Sequence, residues 1–120
     1  MTVILFENEE SESENQSTDW QTKISKSGDI DNDGEFIIWT SAEITGINTN
    51  RIVQARVLID GIERTFDIFK PVISGLYRSF SSMGLIHLSM GNHSVEIQFA
   101  CYTTPQIAKM RRARILVMKH

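Results

Sequence analysis

The chain has one cysteine, two prolines and no apolar run near the roughly 18 residues that would cross a bilayer. Cys101 alone excludes an intramolecular disulfide and any cysteine-built zinc cluster, so stability has to come from packing or from partner subunits. There is no basic excess either. The net charge is −3 and the pI about 5.6, which argues against nucleic acid as a partner, because such proteins carry a basic footprint. No phosphate-binding loop, dinucleotide fingerprint or Gly-x-Ser-x-Gly elbow occurs. The apolar stretch from Thr2 to Phe6 is too short for a signal-peptide core, lacks a basic lead and runs into acid. No cleaved export signal is therefore expected, and the mature protein is expected to begin near Met1.

What is present suffices for one folded domain. A chain of 120 residues, 41% hydrophobic and 22% charged, buries roughly two-thirds of its unfolded surface. Charge is distributed unevenly. Residues 1–20 hold six of the fifteen carboxylates and neither Lys nor Arg, leaving nine carboxylates against all twelve Lys and Arg in the rest. This divides the chain into an N-terminal strand with an acidic arm, residues 1–19, and a mildly basic body, residues 20–120. The Ser-rich acidic segment Glu7 to Asp19 reads as a solvated linker, with docking on a basic surface of its own or a neighbouring subunit as the alternative.

The body reads as strands. Asp60-Gly61 is a two-residue turn signal between Ile52 and Phe69. Closing the hairpin there sets Ile59 against Ile62, Leu58 against Glu63, Val57 against Arg64, Ala55 against Phe66 and Val53 against Ile68. One face is then apolar apart from Arg64. Trp20 to Ser27 is a strand, Gly28 to Gly34 a turn, and Gly34 to Ile44 a strand with Phe36, Ile38, Thr40, Ala42 and Ile44 on one side. Ile37 and Trp39 lie on its other side. Pro71 to Gly75 is expected to cross between sheets. Leu76 to Phe80 and Leu85 to Met90 are strand candidates separated by a turn or bulge at Ser81 to Gly84. Ser94 to Cys101 alternates, with Val95, Ile97, Phe99 and Cys101 inward. Helix competes with strand over Ile107 to Met118, but a helical apolar stripe would run into Arg111 and Arg114. A strand instead puts Ala113, Ile115 and Val117 on one face and Leu116 and Met118 on the other. About eight strands at such spacing predict an all-β, antiparallel, jelly-roll-like β-sandwich.

Several residues are candidates for chemistry. Asp29, Asp31 and Asp33 before Gly34 match the first half of a Ca²⁺-binding EF-hand loop, but position 12 is Thr40 rather than Glu and the flanks are strands. A solvated acidic turn is the main expectation, and a weak calcium site at these three residues the alternative. His87, His93 and His120 are far apart, and His93 is expected to cap a turn. Cys101 reads as a small core residue without an activating base. Lys109, Arg111, Arg112, Arg114 and Lys119 form the one basic cluster, read as a solvated strand or as partners of the acidic arm. Trp20, Trp39, Tyr77 and Tyr102 would make a sugar-stacking platform if three of them shared a face. Ile37, Trp39, Leu116 and Met118 lie on strand faces turned away from the core, which leaves apolar surface a lone subunit does not cover. Trp39, Leu116 and Met118 are therefore expected at an oligomer interface, and Arg112 and Arg114 at an electrostatic docking surface.

Trp20, the runs GEFIIWTSAEI, VLIDG and LSMGNHSVEIQF, and the closing ARILVM together resemble small jelly-roll virion proteins of tailed bacteriophages, and more distantly C1q and TNF-like jelly rolls. The resemblance covers residues 20–118 and omits the acidic arm. It implies a non-enzymatic decoration, cement or fibre-type protein of the virion, made in the host cytoplasm. Such a protein is expected to form a homotrimer that bridges subunits of the major capsid protein or another virion protein, without membrane contact. The alternative is a carbohydrate- or receptor-binding module.

Overall fold

The computed structural model describes residues 2–120; Met1, the first residue of the first expected strand, lies outside them. Nine strands run in the order β1 (Thr2–Glu9), β2 (Ser13–Asn15), β3 (Gln21–Ile30), β4 (Gly34–Gly46), β5 (Val53–Ile59), β6 (Ile62–Phe69), β7 (Arg78–Leu88), β8 (Gly91–Cys101) and β9 (Ala108–Lys119). No helix occurs among the described residues, so none is long and apolar enough to cross a membrane. The front sheet has the order β1-β9-β4-β7, with β2 following β1 along β9; the back sheet has the order β3-β8-β5-β6. Every pairing is antiparallel. Apart from the β1–β2 and β5–β6 neighbours, the chain changes sheet at each connection, and the result is a jelly-roll sandwich.

The core follows from alternation. Inward positions of β4 (Phe36, Ile38, Ala42, Ile44), β8 (Val95, Ile97, Phe99, Cys101) and β9 (Ala113, Ile115, Val117) are all buried. Residues that alternate along a pleated strand share one face, and two such faces close over each other. Gln106 pins the loops at one end. Its amide donates to the carbonyls of Asn48 (2.7 Å) and Arg51 (3.0 Å) and accepts from the N–H groups of Asn48 (2.7 Å) and Ile107 (2.9 Å). Pro71 lies in the crossing from back to front sheet, as expected.

Four expectations change. The β5–β6 hairpin keeps Ile59 against Ile62 and Leu58 against Glu63, but Arg64 then bulges, so Val57 faces Thr65 and Arg56 faces Phe66. Uniform pairing would have placed Arg64 on the core face; the bulge removes that charge from the core and turns Phe66 and Ile68 outward, 47% and 41% exposed. The turn after β3 shrinks to residues 31–33, because Gly28 and Asp29 continue the strand opposite His93 and Asn92. A Cβ at Gly28 would lie 2.3 Å from Leu5 Cδ2, so glycine is what lets β1 close down on β3. Ser81 to Gly84 form no turn: β7 is continuous, with Gly84 opposite Ile38.

The acidic segment is the fourth change. Residues 7–9 and 13–15 are strand, laid on β9, and are continuous with the sandwich rather than a linker before it. Their charges explain the docking. Glu10 meets Arg114 (3.0 Å), Glu14 meets Lys109 (3.4 Å) and Glu7 meets Lys26 (3.8 Å). Lys23, buried, donates to the Ser11 carbonyl and to Ser13 Oγ (2.9 Å) between β1 and β2. Burial pushes the Lys23 pKa down, and Glu9 and Glu12 act against that shift.

Candidate functional site

The outer side of the front sheet holds the residues singled out for self-association. Cross-strand neighbours form two rows that span four strands. One row is Val3, Met118, Ile37 and Leu85; the other is Phe6, Leu116, Trp39 and Met83. All eight are apolar and none is buried. Strands lie about 4.8 Å apart, so each row is roughly 15 Å long, and the two together make a continuous apolar patch. Trp39, Leu116 and Met118 sit at its centre, half-buried by their neighbours. The rim is more open: Met83 is 69% and Leu85 59% exposed. Sequence reasoning missed Val3, Phe6, Met83 and Leu85. A turn was expected at Ser81 to Gly84, although Met83 and Leu85 do stand two apart, the spacing of one strand face.

Beyond the second row the same face becomes polar. A groove of about 500 Å³ is lined by Trp39, Ser41, Glu43, Ser81, Arg112 and Arg114, among others. Arg112 has φ 53°, a left-handed conformation unusual for a long side chain, at the point where the β4–β9 ladder shifts. The shift brings two guanidinium groups to one carboxylate. Arg111 Nε donates to Glu43 Oε1 at 2.7 Å, and Arg112 Nη1 approaches Oε2 at 3.4 Å. The Arg111 hydrogen bond, with the charges of Arg112 and Arg111, holds the Glu43 carboxyl below the usual carboxylate range. Arg111 also lies 3.7 Å from the centroid of the Tyr77 ring, and the Tyr77 hydroxyl donates to Glu12. Burial and the Glu12 carboxylate push the Tyr77 pKa up. Four of the five clustered cations, Lys109, Arg111, Arg112 and Arg114, are thus paired with carboxylates of this chain.

The other candidates do not assemble. Asp29 accepts from Asn92 at 3.2 Å, Asp33 from the Met90 N–H at 2.6 Å, and Asp31 lies in the turn between them. Among the described residues, no group of three His, Cys, Asp or Glu is placed to hold a metal ion. No three of the four aromatics share a face. Trp20 stacks edge-on against Phe66 on the back sheet, 6.2 Å between centroids, with Arg56 4.2 Å over its ring. Tyr77 lies under Arg111, and Tyr102 is exposed in the β8–β9 loop. His87 meets Glu35 at 2.9 Å, and the His120 N–H donates to the Glu35 carbonyl. His93 ties two turns together, with Nδ1 2.7 Å from Asp60 and Nε2 2.7 Å from the Ser89 carbonyl. Cys101 is fully buried, and burial pushes its thiol up, the opposite of activation.

No family model matches the sequence, and no curated protein matches it. Solved structures do share the fold. VP2 of infectious bursal disease virus, crystallised as a subviral particle, aligns with a TM-score of 0.59 at 12% identity over 97% of this chain and 32% of its own. The insecticidal delta-endotoxin Cry8Ea1 of Bacillus thuringiensis aligns at 0.55 and 7% identity over 91% of this chain and 19% of its own. Eiger TNF of S. frugiperda aligns at 0.52 and 10% identity, over 76% and 62%. This chain thus spans about a third of the virus protein, a fifth of the toxin and under two-thirds of the TNF. At these identities the likeness establishes a jelly-roll β-sandwich and leaves function to the residues.

Proposed function

We propose that this chain is a non-enzymatic structural subunit of a virus particle, a decoration, cement or fibre-type protein of a tailed phage, that self-associates through the outer side of its front sheet. The observation that carries this reading is the pair of apolar rows centred on Trp39, Leu116 and Met118. A contiguous apolar patch that spans four strands favours burial between subunits, and a closed trimer is one symmetric way to bury it. Arg112 and Arg114 beside the rows would steer acidic groups of a neighbouring coat subunit toward the face, although each already faces a carboxylate of its own chain. The acidic arm is held on β9, so bridging falls to the loops. Val72, Ile73 and Leu76 in the β6–β7 crossing, 89%, 60% and 58% exposed, are the apolar groups available there. The jelly-roll likeness to VP2 is compatible with this role and supports the fold alone.

The test is solution mass. An oligomer near three times the 13.7 kDa subunit, or a multiple of that, whose mass falls in Leu116→Lys supports the reading. A native chain that stays at 13.7 kDa sinks it.

The groove that Trp39 shares with Ser41, Ser81, Glu43 and two arginines favours a second reading, a carbohydrate-binding module. It predicts glycan binding that disappears in Trp39→Ala while the mass is unchanged. If the binding survives the substitution, that reading fails.

A further inference from the structure

Each sheet of an open sandwich ends in strands with unpaired backbone groups, and folded proteins blunt such edges with charges and bulges. Three of the edges here are blunted in that way. β1 carries Glu7 and Glu9 and a register shift between Val3 and Leu5. β3 carries Lys23, Lys26 and Asp29 and a shift between Thr22 and Ile24. β6 carries Glu63, Arg64 and Asp67 and the Arg64 bulge. The fourth edge, β7, has no bulge, and its one Arg stands at its first residue, Arg78, paired with Asp67. It pairs with β4 through eleven consecutive positions without a shift, and from Ser79 to Ile86 it holds no charged residue. Along that edge the sheets part over a groove of about 300 Å³, lined by Ile38, Val57, Ile59, Ser82 and Ile86 among others, with Arg64 of β6 as its one charged residue.

We propose that β7 pairs edge to edge with β7 of a second copy of this chain, antiparallel about a two-fold axis at Gly84. Gly84 has nothing within 4 Å of the position its Cβ would take, which suits a point where two backbones approach. About that axis Met83 meets Leu85 of the second copy, Ser82 meets Ile86, Ser81 meets His87 and Phe80 meets Leu88. Arg78 falls opposite Met90, so no like charges oppose each other. The outer rows become continuous. Val3, Met118, Ile37 and Leu85 run on into Met83, Trp39, Leu116 and Phe6 of the second copy, giving two eight-residue apolar rows that cross eight strands of the joined sheet. On the inner side, added side chains at positions 82 and 86 lie over the mouth of the groove. The identity of the occupant rests on the self-association reading above; the edge itself rests on the backbone.

The experiment compares the native chain with Gly84→Lys and Leu116→Lys by sedimentation and by amide hydrogen exchange of residues 79–86. Gly84→Lys puts an inward charge into open space beside the edge, a blunting device that leaves the fold intact, checked by an unchanged melting temperature. Two such lysines at the axis are expected to weaken the edge contact at least about 100-fold, lowering the native mass and speeding exchange of the outward amides of β7. Leu116→Lys is expected to leave the slow exchange at 79–86 in place. An unchanged mass in Gly84→Lys, or equal exchange at 79–86 in the native chain and Gly84→Lys, overturns the edge pairing. If only Leu116→Lys lowers the mass, the face reading stands without the edge. If only Gly84→Lys does, the edge stands without the face.

Discussion

Across the back sheet a row of outward neighbours reads Thr22, Gln98, Arg56 and Phe66; across the front sheet a row reads Phe6, Leu116, Trp39 and Met83. The ladders are alike, and the two outer sides have different partners. The back row is satisfied within the chain. Arg56 donates from Nε to Gln98 (2.7 Å), approaches Glu63 through Nη1 (3.6 Å) and lays its guanidinium over the Trp20 ring, while Gln98 donates to Thr22 (3.3 Å) and Glu96 (2.8 Å). The front rows have no polar groups to satisfy and no chain above them. A polar row that closes on itself is a finished surface, and an apolar row with no chain above it is the ground of the self-association proposed above.

The sharpest way to break the contrast is Leu116→Lys, which should weaken association through the front face at least about 100-fold and lower the mass, while leaving the melting temperature within a degree or two. If the mass is unchanged, the front face is no interface. Next comes Lys23→Met. Removing the ammonium leaves the Ser11 carbonyl and Ser13 hydroxyl without their donor, at a cost of about 1–2 kcal/mol, read as a lower denaturation midpoint and faster proteolysis before residue 20. Resistance equal to the native chain would refute a role for Lys23 in holding β1 and β2 in place. On the back sheet, Arg56→Ala should cost about 1 kcal/mol through Gln98 and Trp20 and leave the mass untouched; a change of mass there would erase the distinction between the faces.

The smallest effect is a pH dependence at the turn that joins β5 to β6. The hydrogen bond to Asp60, with that to the Ser89 carbonyl, holds the His93 pKa above its ordinary 6.5. The folded ring binds its proton more tightly than the unfolded one. Its contribution is therefore complete below about 6.5 and lost as pH rises through the raised value. Partial burial pushes the Asp60 carboxyl up, but hydrogen bonds from His93 and the Ser94 N–H outweigh it, and its pKa falls below 3.8. That contribution is present above 3.8 and fades as pH drops through the lowered value. Solvent at this exposed turn limits the bridge to under about 1 kcal/mol. His93→Gln should flatten the decline in melting temperature above pH 6.5; an identical slope would show that the bridge is not its source.

Much of this was legible in one dimension. Alternation placed the buried sides of β4, β8 and β9, and it turned Trp39, Leu116 and Met118 outward, because the two-residue period of a pleated strand is a local property. Asp60-Gly61 located the hairpin tip for the same reason: positive φ at both residues (54° and 76°) is a demand on those two residues alone. Local rules failed where a residue's place depends on something distant. The Arg64 bulge answers the core beneath it, Gly28 answers Leu5, and the acidic segment became strand because β9 offered both a free ladder and the cations to receive it. The sequence by itself determined which side of β4, β8 and β9 is buried and which is turned outward, since that is written at every second residue. The tertiary structure alone decided that four such sides lie in one sheet, with Val3, Phe6, Met83 and Leu85 extending the patch, because strand order depends on which edges meet across the whole chain.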